Sequence, residues 1–307
     1  MKILRHASSD RDTALALGSF DGVHLGHRTM LERARASAAE RGLASGVLTF
    51  EPLPREHFAA AQAPARLSSF TEKAAAFAQC GLDLAVVEHF DARFAALSAD
   101  QFAHRLREHH RARWVLVGPD FRYGAQRKGD VSTLAQAGRA LGFDVEVMPE
   151  VTVHGERVSS TAVREALARA DFERAALLLD RPYAICGRVG HGAKRGKALG
   201  YPTANVRLGR GKPALGGIFA VKCFGAATRG LEGVASLGTN PAVQQGGAAS
   251  LEAYLFDFSG DLYGRRLTIE FVKKLRDEAH FPSLGQLAAQ IARDCDAARA
   301  HFRATRA

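Results

Sequence analysis

Short strand-like runs alternate with longer amphipathic stretches through the first half of this 307-residue chain. Ala14-Leu15-Ala16-Leu17 leads into a helical pattern from about Gly26 to Glu40, and Val47-Leu48-Thr49-Phe50 follows. A helix-like stretch from Ser69 to Cys80 precedes Leu84-Ala85-Val86-Val87. Another near Ala99–His109 precedes Trp114-Val115-Leu116-Val117, and a third near Val131–Leu141 precedes Asp144–Val147. Continuous apolar strands need cover on both faces, and helices between them supply the crossovers that parallel pairing requires. The pattern predicts a Rossmann-like α/β domain built on a parallel sheet. Ligands of such sheets sit at the carboxyl ends of the strands, which points to the segments after Leu17, Phe50 and Val117.

The pattern changes after Leu179. Pro182 disfavours helix at Arg181, so Arg181-Pro182 predicts a boundary between domains 1–181 and 182–307. Beyond it the segments are short, β-rich and punctuated by glycine: Tyr183–Val189, Ile218–Phe224, Gly233–Leu237, Leu251–Phe256 and Leu267–Val272. These predict a small antiparallel barrel. A final helix begins near Ser283, with Ser283 and Gln286 at capping-box spacing.

Composition narrows the function classes. A hydrophobic share of 47% with 24% charged residues suits a packed globular protein and argues against disorder. Cys80, Cys186, Cys223 and Cys295 are scattered without a C-x-x-C pair, unlike a disulfide framework or zinc site, and fit a reducing compartment. Met1–His6 breaks into charge before any signal core could form, and no apolar run approaches the ~20 residues of a membrane span. A cytoplasmic protein without a membrane partner is expected. Residues 1–181 hold 24 Lys and Arg against 23 Asp and Glu, whereas 182–307 hold 18 against 9. A basic half suits either nucleic acid or polyphosphate substrates. No stacked-aromatic RNA motif accompanies it, so a nucleic-acid partner is not expected.

Gly18-Ser19-Phe20-Asp21-Gly22-Val23-His24-Leu25-Gly26-His27 follows the first strand and opens the first helix. A helix start offers unpaired N–H groups and partial positive charge, both suited to phosphate. Gly22 and Gly26 let backbone approach a ligand. His24 and His27, three apart, share a helix face and can donate to a phosphate whose charge grows during reaction. A zinc pair would need a third ligand, which the sequence does not supply. Val158-Ser159-Ser160-Thr161-Ala162-Val163-Arg164 also enters a helix, where Ser160 or Thr161 suits a cap or an anion contact and Arg164 lies one turn on.

With these residues the chain resembles the prokaryotic bifunctional riboflavin kinase/FAD synthetase family over essentially its whole length. G-x-F-D-G-x-H-x-G-H matches its adenylyltransferase motif, one of the wider HxGH nucleotidylyltransferase group. Thr49–Pro54, Val117–Gly124 and Ser159-Ser160-Thr161-x-x-Arg164 match other blocks. The resemblance implies that His24, His27, Ser160, Thr161 and Arg164 handle ATP, along with Gly18, Phe20, Asp21 and Gly26 of the motif. It implies that Pro52, Pro54, Asp120 and Phe121 line the FMN side. Leu53 departs from the family, where a histidine is common.

The second half carries its own signature. Gly187–Lys197 is glycine-rich and basic, but its spacing and Ala198 exclude a P-loop. It reads as a flexible turn or a phosphate loop, the latter assigning Gly192 and Lys197 to the nucleotide. Gly200-Tyr201-Pro202-Thr203-Ala204-Asn205 matches the P-T-A-N motif of riboflavin kinases. Thr203 and Asn205 point to one face of an extended segment, and their oxygens are hard ligands suited to Mg²⁺ and phosphate. Alternation alone makes Glu252 an outward strand residue, whereas the resemblance implies the catalytic glutamate. Arg276 suits a flavin-phosphate contact or a solvated salt bridge, and Pro241-Ala242 departs from the family's usual Pro-Thr. The implied activity is phosphorylation of riboflavin to FMN and adenylylation of FMN to FAD. It would use ATP and Mg²⁺ in a monomer or weak homo-oligomer.

Overall fold

The computed structural model describes the chain except residues 6, 193–195, 197–198, 210, 240–248 and 307. Lys197 and the Pro241-Ala242 departure lie outside the described residues. Two compact units form: one of Met1–Pro64 and Phe70–Ser160, the other of Ala65–Ser69 and Thr161–Ala307.

In the first unit the elements run β1 (Lys2–Arg5), β2 (Thr13–Leu17), α1 (Leu25–Arg41), β3 (Ala44–Glu51), α2 (Pro54–Phe58), α3 (Phe70–Gln79) and β4 (Leu84–His89). They continue through α4 (Ala92–Ala95), α5 (Ala99–Glu108), β5 (Ala112–Val117), α6 (Val131–Leu141), β6 (Asp144–Val147) and a small hairpin of β7 (Thr152–Val153) and β8 (Glu156–Arg157). The six-stranded sheet has the order β1-β4-β3-β2-β5-β6 and is parallel throughout. Successive residues of a strand serve opposite faces. Leu15, Leu17, Leu48, Val115 and Val117 pack with Phe102, Leu106 and Leu134 on one side. Ala14, Ala16, Val47, Trp114 and Leu116 pack with Met30, Leu31, Ala34 and Phe77 on the other. Each fully buried Leu or Phe contributes about 1.5–3 kcal/mol, so both helical layers are fastened by the same strands.

The helix limits follow from their caps. Ser98 and Gln101 form a reciprocal capping box at α5, as Asp130 and Thr133 do at α6. Gly42 closes α1 at φ 65°. In this sheet β2 is flanked by β3 on one side and β5 on the other, so the strand order reverses beside it and a crevice opens at its carboxyl end.

The second unit begins in α7 (Ser160–Ala168) and continues with α8 (Phe172–Leu179), β9 (Ala184–Gly190), β10 (Ala204–Val206), β11 (Gly217–Phe224), β12 (Leu231–Thr239), β13 (Ala249–Leu255), β14 (Arg266–Arg276) and α9 (Leu284–Ala304). The strands close an antiparallel barrel in the order β10-β13-β12-β11-β14-β9. Register aligns Phe219 with Ala235, Val221 with Phe271, and Leu237 with Leu251, all fully buried or nearly so, and these fill the interior. Ile218, Ala220 and Val234 face outward, where Cys295, Ala298 and Phe302 of α9 cover them. Phe172 of α8 packs near Phe219 and Phe271, with ring centroids 6.0 and 6.4 Å away.

Candidate active sites

The first site grows from the end of β2. Between Leu17 and α1 the backbone takes φ 51° at Phe20, 86° at Gly22 and 41° at Val23. Glycine adopts such angles freely, but a β-branched residue there is strained, so neighbouring contacts must hold the turn. Gly18 N–H donates to Leu48 O at 3.1 Å, and Ser160 Oγ donates to Asp21 O at 2.8 Å. Phe20 is fully buried, its ring edge-on to Phe77 at 5.6 Å and tilted to His27 at 5.0 Å.

His24 immediately precedes α1 and caps it. Its Nδ1 accepts from the His27 backbone N–H at 3.3 Å, which puts the ring proton on Nε2. The His24 and His27 rings stack with centroids 3.6 Å apart and planes 14° from parallel. A Cβ on Gly26 would stand 3.4 Å from the His24 ring, an ordinary contact, so the ring's place does not depend on glycine there. Burial chiefly, then the charges of His24 and Lys73, holds the His27 pKa well below the usual 6.5. His27 is therefore neutral at pH 7, and its Nδ1 is buried without a hydrogen-bond partner.

Ser160 thus fastens the turn through Asp21, and Asp21 itself is buried. Thr161 and Arg164 belong to the second unit, where Arg164 Nε donates to Ala65 O at 2.6 Å. Sequence reasoning missed Lys73 and Glu51. Lys73 is fully buried on α3, with Nζ 2.7 Å from Glu51 Oε1 at the end of β3. One lysine on an amphipathic helix gives no signal of this; only the packing of α3 beside β3 reveals it.

Segments after β3 and β5 place the other expected residues. Pro52 and Pro54 flank Leu53, which is buried and donates its N–H to Glu56 Oε2 at 2.9 Å. Phe58 is 69% exposed, with its ring 5.6 Å from that of Phe90. Phe121 stacks on Tyr123 at 5.7 Å and 18°. The exposed Asp120 accepts from Arg157 Nη2 at 2.7 Å. Phe58 and Phe90 were not legible as partners, being 32 positions apart, one at the end of α2 and the other just after β4.

The second site lies on the outer wall of the barrel. Leu251, Ala253 and Leu255 point inward, while Glu252 takes the opposite face and is half-buried. Register sets Glu252 between Asn205 of β10 and Ser236 of β12. Thr203 Oγ1 donates to Glu252 Oε2 at 3.1 Å. Thr203, Asn205 and Glu252 therefore form one polar group. A Cβ on Gly192 would fall 2.3 Å from the Asn205 amide oxygen, so the glycine-rich segment comes close to this group only because it lacks a side chain there. Thr203, Asn205 and Glu252 supply three oxygen donors. Among the described residues, no cluster of three His, Cys, Asp or Glu suited to a metal occurs. Arg276 is anchored within the second unit: Nε and Nη2 bind the buried Asp294 of α9, at 2.7 Å for the shortest contact, and Nη1 donates to Asp277 O.

Comparisons with known proteins assign a family to each part of the chain. The FAD synthetase family model matches residues 6–162, and the riboflavin kinase family model matches residues 179–302. The chain is 45% identical over 293 residues to the bifunctional riboflavin kinase/FMN adenylyltransferase of Escherichia coli (strain K12), covering 95% of this chain and 93% of that one. It is 41% identical over 290 residues to the protein of the same name from Haemophilus influenzae, covering 94% of both. The crystal structure of a protein named as a macrolide-efflux protein from Streptococcus pneumoniae is similar at a TM-score of 0.74 and 27% identity, over 95% of this chain and 96% of that one. Among the described residues of this chain, no helix is long and apolar enough to cross a membrane. Two family regions in order, each holding one of the two polar sites, and relatives aligned nearly end to end lead to one conclusion: the chain belongs to the bifunctional riboflavin kinase/FMN adenylyltransferase family.

Proposed function

We propose that this chain phosphorylates riboflavin to FMN with ATP, then adenylylates FMN to FAD with a second ATP and release of pyrophosphate. Residues 182–307 carry the kinase and residues 1–181 the adenylyltransferase. The observation that supports this most is the pairing of the stacked His24 and His27 rings at the strained β2–α1 turn with a separate Thr203–Glu252 pair on the barrel.

Adenylyl transfer needs little acid–base chemistry. The FMN phosphate is already an anion, so the site must align it with the α-phosphorus of ATP and neutralise charge on the departing pyrophosphate. The His24 and His27 rings, stacked at the start of α1, are the side chains set to stabilise that charge. Gly18, Phe20, Asp21 and Gly26 shape the turn around ATP, with Ser160, Thr161 and Arg164 as further contacts. Pro52, Pro54, Asp120 and Phe121 line the FMN side.

Phosphorylation does need a base, because the riboflavin 5′-hydroxyl is neutral. Glu252 takes that proton as the oxygen attacks the γ-phosphorus. Thr203 donates to Glu252 and so orients the carboxylate, while the Thr203 lone pairs and the Asn205 carbonyl stay available to a cation. That oxygen set fits Mg²⁺, which keeps several waters and phosphate oxygens and needs few protein ligands. Bound there, Mg²⁺ supplies charge neutralisation to the transferring phosphate. Gly192 and Lys197 are assigned to nucleotide binding, and Arg276, oriented by Asp294, to the flavin-phosphate side. Four free cysteines suit a reducing cytoplasm, and a monomer or weak homo-oligomer suffices for the chemistry.

Incubation of the pure protein with riboflavin, ATP and Mg²⁺, with products separated over time, is expected to give FMN and then FAD. His27→Ala is expected to lower FAD formation by about 10²–10³-fold and leave FMN formation intact. Glu252→Gln is expected to lower FMN formation by about 10²-fold or more while supplied FMN is still converted to FAD. A protein that leaves riboflavin untouched and cannot extend FMN has neither activity.

A further inference from the structure

A lysine with no solvent exposure lies under the β2–α1 turn, and the chemistry above does not use it. Lys73 Nζ contacts Glu51 Oε1 at 2.7 Å, donates to Ser19 O at 3.2 Å and reaches Thr49 Oγ1 at 3.4 Å. Thr49 Oγ1 in turn donates to Ser19 O at 3.2 Å. Two donors therefore converge on one carbonyl in the strained turn. In a trans peptide the C=O and the following N–H point in opposite directions. Pinning Ser19 O against Lys73 directs the Phe20 N–H away from the ammonium. That N–H has no hydrogen-bond partner among the described residues, and Phe20 holds φ 51°. An unpaired amide at a strand-to-helix turn is a donor awaiting an anion.

We propose that Lys73, charge-balanced by Glu51, is a positioning residue for adenylyl transfer: it locks the Ser19–Phe20 peptide so that the Phe20 N–H is presented to a phosphate of the bound nucleotide. This rests on the assignment of the β2–α1 turn to ATP. Burying a full ammonium is costly unless it is paired, and Glu51, 17% exposed, supplies the pair. The same ammonium is one of the charges that keep His27 unprotonated. Lys73 thus acts through the backbone and through His27, without touching the reacting atoms.

A buried ion pair can also be purely structural, and replacing it by apolar groups of similar size is often neutral for stability. That separates the two roles. The full-length Lys73→Met/Glu51→Leu variant is expected to keep its thermal transitions within a few degrees of the parent and its riboflavin kinase rate unchanged. Its kcat for FMN adenylylation is expected to fall about 10²-fold, with KM for FMN within about three-fold, as when one fixed donor to developing charge is lost. Adenylylation within three-fold of the parent overturns the proposal. So does loss of the first unit's thermal transition, which would make the pair a folding element. His27→Ala is run beside it: if that variant also adenylylates normally, the nucleotide site itself is misassigned. A defect in His27→Ala alone removes only the role of Lys73.

Discussion

The proton that His27 refuses decides how the first unit responds to acid. Its folded pKa lies well below 6.5, chiefly through burial, with the charges of His24 and Lys73 adding to it. Above about pH 6.5 the ring is neutral in both folded and unfolded chains, and it contributes nothing to the pH dependence. Below that the unfolded chain binds a proton that the folded site does not, so stability falls as pH drops from about 6.5 toward the folded value. His27→Gln removes this linkage. Between pH 7.5 and 5.5 its melting temperature is expected to drop less than that of the parent; an equal drop in differential scanning calorimetry counts against a neutral, buried His27. The same residue shows what sequence reasoning reaches. The three-residue spacing placed His24 and His27 on one face, and they stack at 3.6 Å. Nothing in that spacing indicated that His24 Nδ1 would cap the helix and so define its tautomer. Glu252 shows the reverse case. Alternation alone placed it on the outside, and it is there; its pairing with Thr203, 49 positions earlier, needed barrel closure.

At the scale of elements, β4 and α5 are clamped by one carboxylate. Glu88, 7% exposed, accepts from Arg105 Nε and Nη2 at 2.6 and 2.9 Å and meets His110 Nε2 at 2.6 Å. Burial pushes its pKa up, but the hydrogen bonds from His110 and Arg105 outweigh that and bring it to about 2. A depressed carboxylate pKa contributes stability that is present above about 4.5 and is lost as pH falls toward 2. Glu88→Ala is expected to destabilise the first unit by about 3 kcal/mol at neutral pH. Its denaturation midpoint should also depend less on pH between 4.5 and 2 than the parent's does. Helices with local caps were well placed from sequence: α6 spans Val131–Leu141 as expected, because Asp130 and Gly142 are both visible signals. Elements lacking such signals were missed or shortened. β1 is four residues with charge at both ends, Lys2 and Arg5, and β10 is three residues long. β14 runs to Arg276, well past Val272, because its backbone still pairs with β11 at Lys273, Lys274 and Arg276, whose charge hides the strand from hydrophobic patterning.

At the scale of the whole molecule, the proposed assignment of the two reactions to separate sites makes FMN the intermediate between them, and whether it passes through solution is testable. His27→Ala is expected to retain the kinase and Glu252→Gln the adenylyltransferase. Mixed in one tube with riboflavin, ATP and Mg²⁺, the two variants are expected to make FAD after a lag, although neither makes it efficiently alone. Absence of FAD in the mixture, with both separate activities intact, would argue that FMN does not pass through solution. The sequence by itself determined the order and class of the two units, because hydrophobic periodicity and local turn chemistry act over a few residues. It also determined which segments bear polar residues at strand ends. Only the tertiary structure decided which of those residues meet. The Thr203–Glu252 pair and the Lys73–Glu51 pair each join positions more than twenty residues apart, and such contacts exist only once sheet or barrel register brings the strands and helices together.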